Sequence, residues 1–315
     1  CGHDSISASI VQACFEMSIA PHRVAKMSGI GCSSKTPTYF LGSSHGFNSV
    51  HGRMPSVATG ANMANRDMIY VGVSGDGDTA SIGMGQFVHA VRRNLNMMYI
   101  VENNGVYGLT KGQDSATTDR GSKSKKGEPS PFEPIDLASV ALQLGATFVA
   151  RSFSGDKEQL VPLIKAAIAH KGLAFIDVIS PCVTFNNNPG STKGYEYIRD
   201  HMEATGTVDF VPMREEITAG YKEGNAEEVT LHDGSVVHLY KADENLDIHN
   251  RRSALRMIKD YNANDKVLTG LLYMDPDSQE LHENIGTTPT PLRELAEDQL
   301  CPGSKVLGSI NDRLR

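Results

Sequence analysis

The sequence predicts an α/β domain on a mostly parallel sheet with helices on both faces, followed by a C-terminal extension. Three observations support this. Strand-like and helix-like patterns alternate through the first two-thirds of the 315 residues, each strand-like run is apolar throughout, and the runs are far enough apart for helical crossovers. Strands that are apolar on both faces must be covered on both faces, which is why helices are expected on each side.

The predicted elements follow one another in a regular order. The first helix carries an apolar stripe that includes Ile6, Ile10 and Cys14, behind Asp4 and Ser5 as N-cap residues. The later elements, in chain order, are a strand over 24–30, a helix over 55–65, a strand over 68–73, a helix over 79–94, a strand over 97–101, a polar loop over 117–131, a helix over 135–144, a strand over 147–151, a helix over 156–170 and a strand over 174–179.

The charge distribution divides the chain near residue 204. Residues 1–203 hold 18 basic and 17 acidic residues, whereas residues 204–315 hold 12 and 20. In the second part an Asp-Gly turn separates two strand-like runs over 228–240, which predicts a hairpin, and residues 251–263 read as a helix. We therefore expect an α/β domain over 1–203 and an acidic extension over 204–315, with a hairpin and a helix in the extension.

Composition excludes several classes of protein. The formal net charge of −7 argues against a nucleic-acid partner, and no run approaches the roughly 18 apolar residues of a membrane span. The five cysteines are odd in number and scattered, so they predict no disulfide framework and fit a reducing, cytoplasmic compartment. The chain begins at Cys1 without a Met, and we expect further residues upstream.

Two polar motifs follow neighbouring predicted strands. Gly75-Asp76-Gly77-Asp78 follows the first strand, and Asn103-Asn104 follows the next. The 25 residues between Gly77 and Asn103 fit one right-handed βαβ crossover. Both loops then lie at the carboxyl edge of the sheet, where open α/β sheets bind ligands. The Asp76 carboxylate and the Asn104 amide oxygen are suitable ligands for Mg²⁺, which would take further ligands from the phosphate oxygens of a bound molecule. The glycines let backbone amides approach those phosphates.

Two other interpretations of these motifs remain open. Gly75-x-Gly77-x-x-Ala80 formally fits a dinucleotide fingerprint, with Glu102 as the acidic residue further along. The aspartates within the loop would repel a pyrophosphate unless a cation lay between them, which favours the Mg²⁺ interpretation. Each motif alone would also be an ordinary turn.

The spacing of these motifs is similar to the signature of thiamine-diphosphate enzymes. A longer series resembles the β subunit of 2-oxoacid:ferredoxin oxidoreductases: His51-Gly52-Arg53, Pro55, Ala58-Thr-Gly60, Gly75-Asp-Gly-Asp78, Arg92-Arg-Asn94 and Tyr107-Gly-Leu-Thr-Lys-Gly-Gln113. The resemblance implies a thiamine-diphosphate-binding fold. It also implies that Asp76, Asn104 and the carbonyl of Val106 hold Mg²⁺.

The same resemblance implies which residues contact the cofactor and the substrate. The expected cofactor contacts beyond the metal ligands are Gly75, Gly77, Asp78, Tyr107 and Thr110. Lys35 and Leu109 match positions on the substrate side, and His45 and His51 are expected to face the site. Each of these histidines has an equally good structural interpretation, and Lys35 would need no explanation as a surface lysine.

Three cysteines are candidates for an iron–sulfur cluster. Cys32 and Cys182 each follow a predicted strand and so lie on the carboxyl edge, and Cys1 precedes the first helix. The resemblance implies that all three bind a [4Fe–4S] cluster, which needs four thiolates, with the fourth Cys upstream of Cys1. Cys14 lies on the apolar stripe and is expected in the core.

The family's reaction is oxidative decarboxylation of a 2-oxoacid with coenzyme A, giving acyl-CoA, CO₂ and reduced ferredoxin. The stretches 180–186 and 190–201 look most like the 2-oxoglutarate subtype. Pyruvate and a branched-chain 2-oxoacid stay open as alternative substrates, because the resemblance implies that the selectivity residues lie largely in the partner. The resemblance implies an α subunit that supplies the activating carboxylate, in a dimer of heterodimers. A non-oxidative thiamine-diphosphate decarboxylase or synthase, and a non-catalytic electron-transfer or scaffold subunit, are the alternatives.

Overall fold

A computed structural model describes residues 2–122, 128–187, 191–205, 247–301 and 303–314, and the backbone of 226–230 and 236–240. Eight strands form one sheet in the order β2-β1-β3-β4-β8-β7-β12-β9. Their bounds are β1 Val24–Ser28, β2 His45–Asn48, β3 Ile69–Gly75, β4 Met97–Asn103, β7 Phe148–Phe153, β8 Leu173–Ile179, β9 Met202–Ala204 and β12 Val267–Met274. The strands from β2 to β7 are parallel, β12 runs antiparallel to β7, and β9 is parallel to β12.

Helices cover both faces of this sheet. Their bounds are α1 Gly2–Glu16, α2 Met54–Ala64, α3 Met84–Arg92, α4 Leu137–Leu144, α5 Lys157–Ala169, α6 Tyr195–His201, α7 Arg251–Asn262, α8 Leu281–Ile285, α9 Glu297–Leu300 and α10 Gly303–Arg313. Side chains of α1 and α5 pack into one apolar layer, and those of α2, α3, α4 and α7 pack into another. The predicted α/β class, with a mostly parallel sheet between two helical layers, is confirmed.

Helix boundaries follow local capping chemistry. Asp136 begins α4 by accepting the Ser139 N–H at 3.1 Å, and Gly145 ends it with φ 92°. The first helix begins at Gly2, so Asp4 lies within its first turn rather than capping it, where its charge still suits the positive end of the helix dipole.

The segment predicted as one helix over 79–94 is divided. Residues 77–82 form a wider π-type turn, and α3 begins only at Met84. The break occurs at Gly83, where an added Cβ would lie 2.3 Å from the Asp78 carbonyl oxygen and 3.1 Å from Gly52. Close packing of the two loops therefore interrupts the helix directly beside the predicted ligand site.

The C-terminal part returns to the same sheet. The boundary predicted near residue 204 coincides with β9, and β12 pairs with β7 inside the sheet. The predicted hairpin is present as β10 Ala226–Thr230 paired antiparallel with β11 Val236–Tyr240, while its Asp-Gly turn at 233–234 lies outside the described residues. The described helices include none both long and apolar enough to cross a membrane.

Candidate active site

Three loops at the carboxyl edge of the sheet enclose one cavity. They follow β1, β3 and β4, which are neighbours in the sheet, so the ends of the three strands lie side by side. The loops contribute residues 30–33, 75–78 and 106–110, and His51 completes the lining. The structure thus brings together most of the predicted site residues: Cys32, His51, Gly75, Asp76, Gly77, Asp78, Val106, Tyr107, Leu109 and Thr110.

Asp76 is a buried carboxylate at the base of this cavity, with 1% of its surface exposed. Its Oδ2 accepts hydrogen bonds from the hydroxyls of Ser115 and Thr117, and its Oδ1 accepts the Asn104 N–H at 3.3 Å. Burial raises the pKa of the Asp76 carboxyl, and these hydrogen bonds and the Lys193 charge offset part of that rise. A cation at this carboxylate would relieve the cost of burying its charge.

The Asp78 carboxylate accepts more hydrogen bonds from the protein than the Asp76 carboxylate does. Its Oδ1 accepts hydrogen bonds from His51 Nδ1–H and from the Gly52 N–H at 2.6 Å, and its Oδ2 accepts from Ser74 at 2.7 Å and Ser34 at 3.3 Å. The carboxylate therefore joins the loops after β1 and β3 to the turn before α2. The two aspartates of one motif have different surroundings.

The loop after β4 is held by contacts of Asn104 and Tyr107. Asn104 Oδ1 accepts the Val106 N–H at 3.1 Å, and Asn104 Nδ2 lies 3.8 Å from Cys32 Sγ. Tyr107 donates its hydroxyl to the Gly77 carbonyl at 3.0 Å, and a Cβ on Gly77 would lie 2.5 Å from the Tyr107 ring. The two loops therefore approach each other so closely that only glycine fits at position 77.

Two cysteine sulfurs converge beside this cavity. A Cβ built on Gly108 would lie 3.1 Å from Cys32 Sγ and 3.8 Å from Cys182 Sγ, and both cysteines are half-buried. Cys1 lies outside the described residues. Cys14 is buried in the apolar layer of α1, where burial raises the pKa of its thiol to about 11. The expected core position of Cys14 is confirmed.

Glu102, the last residue but one of β4, is fully buried behind the cavity. Its Oε2 accepts the Thr36 hydroxyl at 2.9 Å and lies 3.7 Å from His3 Nε2, whereas its Oε1 has no hydrogen-bond donor among the described residues. Burial raises the pKa of Glu102 well above its ordinary value and lowers the pKa of His3 to about 4. Burial therefore favours the neutral form of both groups.

The remaining predicted site residues are more peripheral. Lys35 is exposed in the short 3₁₀ turn Ser33–Thr38, directly after Cys32. His45 is exposed on β2, the edge strand, and neither residue is among those described as lining the cavity. Leu109 and Thr110 line the cavity at its exposed rim, with Leu109 45% exposed.

Sequence reasoning missed three residues that fix Asp76. Ser115 and Thr117 follow the Gly112-Gln113 turn, where the sequence shows only a polar segment. Lys193 is buried, its Nζ lies 2.9 Å from Asp119, and its charge lowers the Asp76 pKa in part. The three hydroxyl residues within 115–118 were visible in the sequence. Their contact with Asp76 was not, because it joins positions about 40 residues apart.

Thr117 also begins a buried polar network that leads away from the cavity. Its hydroxyl lies 3.1 Å from Asn103 Oδ1, and Asn103 Nδ2 donates to Asp177 at 3.0 Å. Arg151 then bridges Asp177 and Asp136, at 3.0 and 2.5 Å. Because Asp136 is the N-cap of α4, the network connects the Asp76 carboxylate with a helix of the outer layer.

The residues present fit a diphosphate held by a divalent cation. The cavity is lined by the buried carboxylates of Asp76 and Asp78 and by a glycine-rich backbone, and Asn104 contacts Asp76 from behind through its N–H. Mg²⁺ usually takes its other ligands from substrate phosphates and water. Within the described part of the chain no three His, Cys, Asp or Glu side chains form a ready metal cage. A cation here would therefore depend on ligand oxygens.

Comparison with known proteins agrees with this description. The family model "Thiamine pyrophosphate enzyme, C-terminal TPP binding domain" matches residues 29–178, which contain all three loops. The chain is 44% identical over 188 residues to a 2-oxoacid:ferredoxin oxidoreductase subunit beta from Sulfolobus sp, covering 59% of this chain and 62% of that one. It is 41% identical over 189 residues to the 2-oxoglutarate synthase subunit KorB of Methanocaldococcus jannaschii, covering 59% and 68%.

A solved structure extends the similarity beyond these segments. The 2-oxoglutarate:ferredoxin oxidoreductase from Magnetococcus marinus, with 2-oxoglutarate, coenzyme A and succinyl-CoA bound, superposes with a TM-score of 0.72 at 31% identity. The superposition covers 91% of this chain and 83% of that chain. The fold is therefore that of the thiamine-diphosphate-binding domain, and the chain belongs to the β subunits of the 2-oxoacid:ferredoxin oxidoreductase family.

Proposed function

We propose that this chain is the cofactor-binding subunit of a CoA-acylating 2-oxoacid:ferredoxin oxidoreductase whose substrate is 2-oxoglutarate. One 2-oxoacid, one coenzyme A and two oxidised ferredoxins give one acyl-CoA, one CO₂, two reduced ferredoxins and one proton. The matched relatives are named for this family of reactions, and the names of the Methanocaldococcus and Magnetococcus proteins both specify 2-oxoglutarate.

The position of two sulfurs beside the ligand cavity carries this proposal. Cys32 Sγ and Cys182 Sγ both approach Gly108, and Gly108 lines the same cavity as Asp76. A non-oxidative thiamine-diphosphate enzyme needs the carboxylate and the glycines but has no use for paired thiols at this place. The arrangement supports a redox centre next to the diphosphate, with Cys1, Cys32 and Cys182 as three thiolate ligands of a [4Fe–4S] cluster.

Asp76, Asn104 and the carbonyl of Val106 would hold Mg²⁺, and the backbone of Gly75 and Gly77 would face the diphosphate. When bound, thiamine diphosphate supplies the electron sink for decarboxylation. Ser115 and Thr117 orient the Asp76 carboxylate, and the Asp78–His51 pair holds the neighbouring loop in place. Tyr107 joins the loops after β3 and β4 at the cavity wall through its hydrogen bond to the Gly77 carbonyl.

Other residues would contact the substrate at the open rim. Lys35 is an exposed cation close in sequence to Cys32, and a 2-oxoacid carboxylate would pair with it. Leu109 and Thr110 form the exposed side of the cavity, and Thr110 would complete the cofactor contacts. His51 lies at the cavity wall, with its ring centroid 6.0 Å from that of Tyr107. His45 would act only if a partner approached the β2 edge, since it is exposed there.

Partner proteins complete the proposed enzyme. An α subunit supplies the carboxylate that activates the aminopyrimidine, ferredoxin accepts the electrons in the cytoplasm, and the assembly is a dimer of heterodimers. We expect the acidic C-terminal extension to pack on the partner, because α10 exposes Val306, Leu307 and Ile310 on its surface.

The test is turnover by the anaerobically purified complex with its partner subunit, using a viologen dye as acceptor. We expect dye reduction that requires both 2-oxoglutarate and coenzyme A, with a much smaller rate for pyruvate, and iron and sulfide in the preparation. Asp76→Ala should abolish turnover, whereas Asp114→Ala, an exposed carboxylate on the short strand β6 Gln113–Asp114, should retain it. A colourless complex that releases CO₂ from the 2-oxoacid without coenzyme A would favour the non-oxidative alternative.

A further inference from the structure

Two buried hydroxyls have no hydrogen-bond partner within the described residues. Ser154 and Ser180 are 1% and 0% exposed, and both Oγ atoms lack a donor or acceptor there. Leaving a buried hydroxyl unsatisfied costs about 1–3 kcal/mol. Two such atoms side by side leave two hydroxyl donors available to an acceptor outside the described residues.

The backbone holds both hydroxyls at the carboxyl edge of the sheet. Ser154 follows β7 and donates its N–H to the Ile179 carbonyl at 2.9 Å, and Ser180 follows β8 and donates its N–H to the Asn103 carbonyl at 2.8 Å. Both side chains meet at Gly2, where an added Cβ would lie 2.3 Å from Ser154 Oγ and 2.5 Å from Ser180 Oγ. The hydroxyls are therefore fixed against the first turn of α1.

This place adjoins the proposed cluster ligands. Ser180 lies two residues before Cys182, and Gly2 directly follows Cys1. The next residue of α1, His3, places its Nε2 3.3 Å from Ser33 Oγ, and Ser33 directly follows Cys32. The two hydroxyls thus lie between the first turn of α1 and the loop that carries Cys182, and His3 joins that same turn to the loop that carries Cys32.

We propose that Ser154 and Ser180 are positioning residues that donate O–H···S hydrogen bonds to the sulfur atoms of the iron–sulfur centre and so raise its reduction potential. The inference rests on the [4Fe–4S] centre proposed above. Each serine stays protonated, and one electron enters the centre without loss of a proton from either hydroxyl. An added electron makes the sulfur atoms more negative, so the two donors stabilise the reduced form more than the oxidised form.

The experiment is a redox titration of the anaerobic complex with its partner subunit, followed by electron paramagnetic resonance, with dithionite as reductant. Ser154→Ala and Ser180→Ala should each lower the equilibrium constant for reduction, and the double variant should lower it about tenfold, equivalent to about 59 mV for one electron. Ser180→Thr, which keeps the hydroxyl, should restore the wild-type value. Ser9→Ala is the matched control, because Ser9 is a buried serine of α1 whose hydroxyl already donates to the Ser5 carbonyl.

Unchanged potentials in both alanine variants with an intact cluster signal would overturn this inference alone. Loss of iron from both alanine variants, with the fold preserved, would assign the hydroxyls to cluster retention and would also contradict tuning. A wild-type complex without iron or sulfide would overturn the proposed function and the tuning together. These results are distinguished by iron content measured before the titration.

Discussion

Asp76 and Asp78 come from one tetrapeptide, but their carboxylates have separate roles in the structure. Asp76 accepts hydrogen bonds from two hydroxyls and one amide at the base of the cavity, whereas Asp78 joins three segments of backbone. The sequence predicted both residues at the site from their position after a strand. Spacing cannot separate the two roles, because they depend on Ser115, Thr117 and His51, which lie far away in the chain.

Asp76→Asn should weaken the Mg²⁺-dependent binding of thiamine diphosphate about 100-fold or more, because loss of a ligand charge costs at least as much as loss of an outer-shell partner. Isothermal titration calorimetry measures the affinity, with Asp114→Asn as the exposed control. The ligand-free variant should be at least as stable as the wild type, since a buried charge has been removed. Equal affinity in the two variants would contradict the assignment of Asp76.

Gly29→Ala should lower the free energy of unfolding by about 1–3 kcal/mol, the usual cost of overpacking. A Cβ at this position would lie 1.9 Å from Asp78 Oδ2, and several hydrogen bonds hold that carboxylate in place. Gly60→Ala is the control, because nothing lies within 4 Å of its Cβ in the exposed middle of α2, and it should stabilise the protein by about 0.5–1 kcal/mol. Urea unfolding of both variants gives the comparison.

Glu102 predicts a pH dependence of stability. Burial raises its pKa well above 4.5, so its contribution is full below pH 4.5 and is lost as the pH rises towards the folded-state pKa. Glu102→Gln keeps an acceptor for Thr36 and never ionises. Its stability relative to the wild type should therefore increase between pH 5 and pH 8, as measured by urea unfolding. A difference that stays constant over this range would show that Glu102 does not titrate there.

At the scale of secondary structure, the parallel core was the most predictable part. Strands β3, β4 and β8 are buried at nearly every position, so each is an apolar run in the sequence. Strand β2 was missed because all four of its residues are exposed at the edge of the sheet. Strand β12 was missed because it pairs with β7 across more than a hundred residues, and its pattern alone does not separate a strand from a buried helix.

The α4 helix depends on a buried ion triad. Arg151 contacts both Asp136 and Asp177. Burial would raise the pKa of the Asp136 carboxyl, but the Arg151 charge and the hydrogen bonds to Asp136 outweigh burial and lower that pKa. Arg151→Met should lower the free energy of unfolding by about 3–5 kcal/mol, because the buried Asp177 and the half-buried Asp136 lose their shared cation. Arg293→Met removes an exposed pair with Glu294 and should change the free energy of unfolding by less than about 0.5 kcal/mol. Chemical unfolding at pH 7 measures both.

At the scale of the whole molecule, binding of thiamine diphosphate should increase the free energy of unfolding. Thiamine diphosphate with Mg²⁺, at about 100 times its dissociation constant, should stabilise the chain by about 2.7 kcal/mol and raise the midpoint of thermal unfolding by several degrees. Chelation of Mg²⁺ by EDTA should reverse the rise. Scanning calorimetry of the complex measures both steps, and a shift that persists in EDTA would contradict the Mg²⁺-dependent site.

Strand β12 also determines how the chain tolerates shortening. It covers the outer edge of β7, so a chain ending before residue 267 would leave the N–H and C=O groups of β7 free at the edge of a buried, apolar sheet. Such an edge is a template for strand addition by another molecule. Aggregation is therefore the expected outcome of removing the C-terminal part, even though every loop of the ligand cavity would still be present.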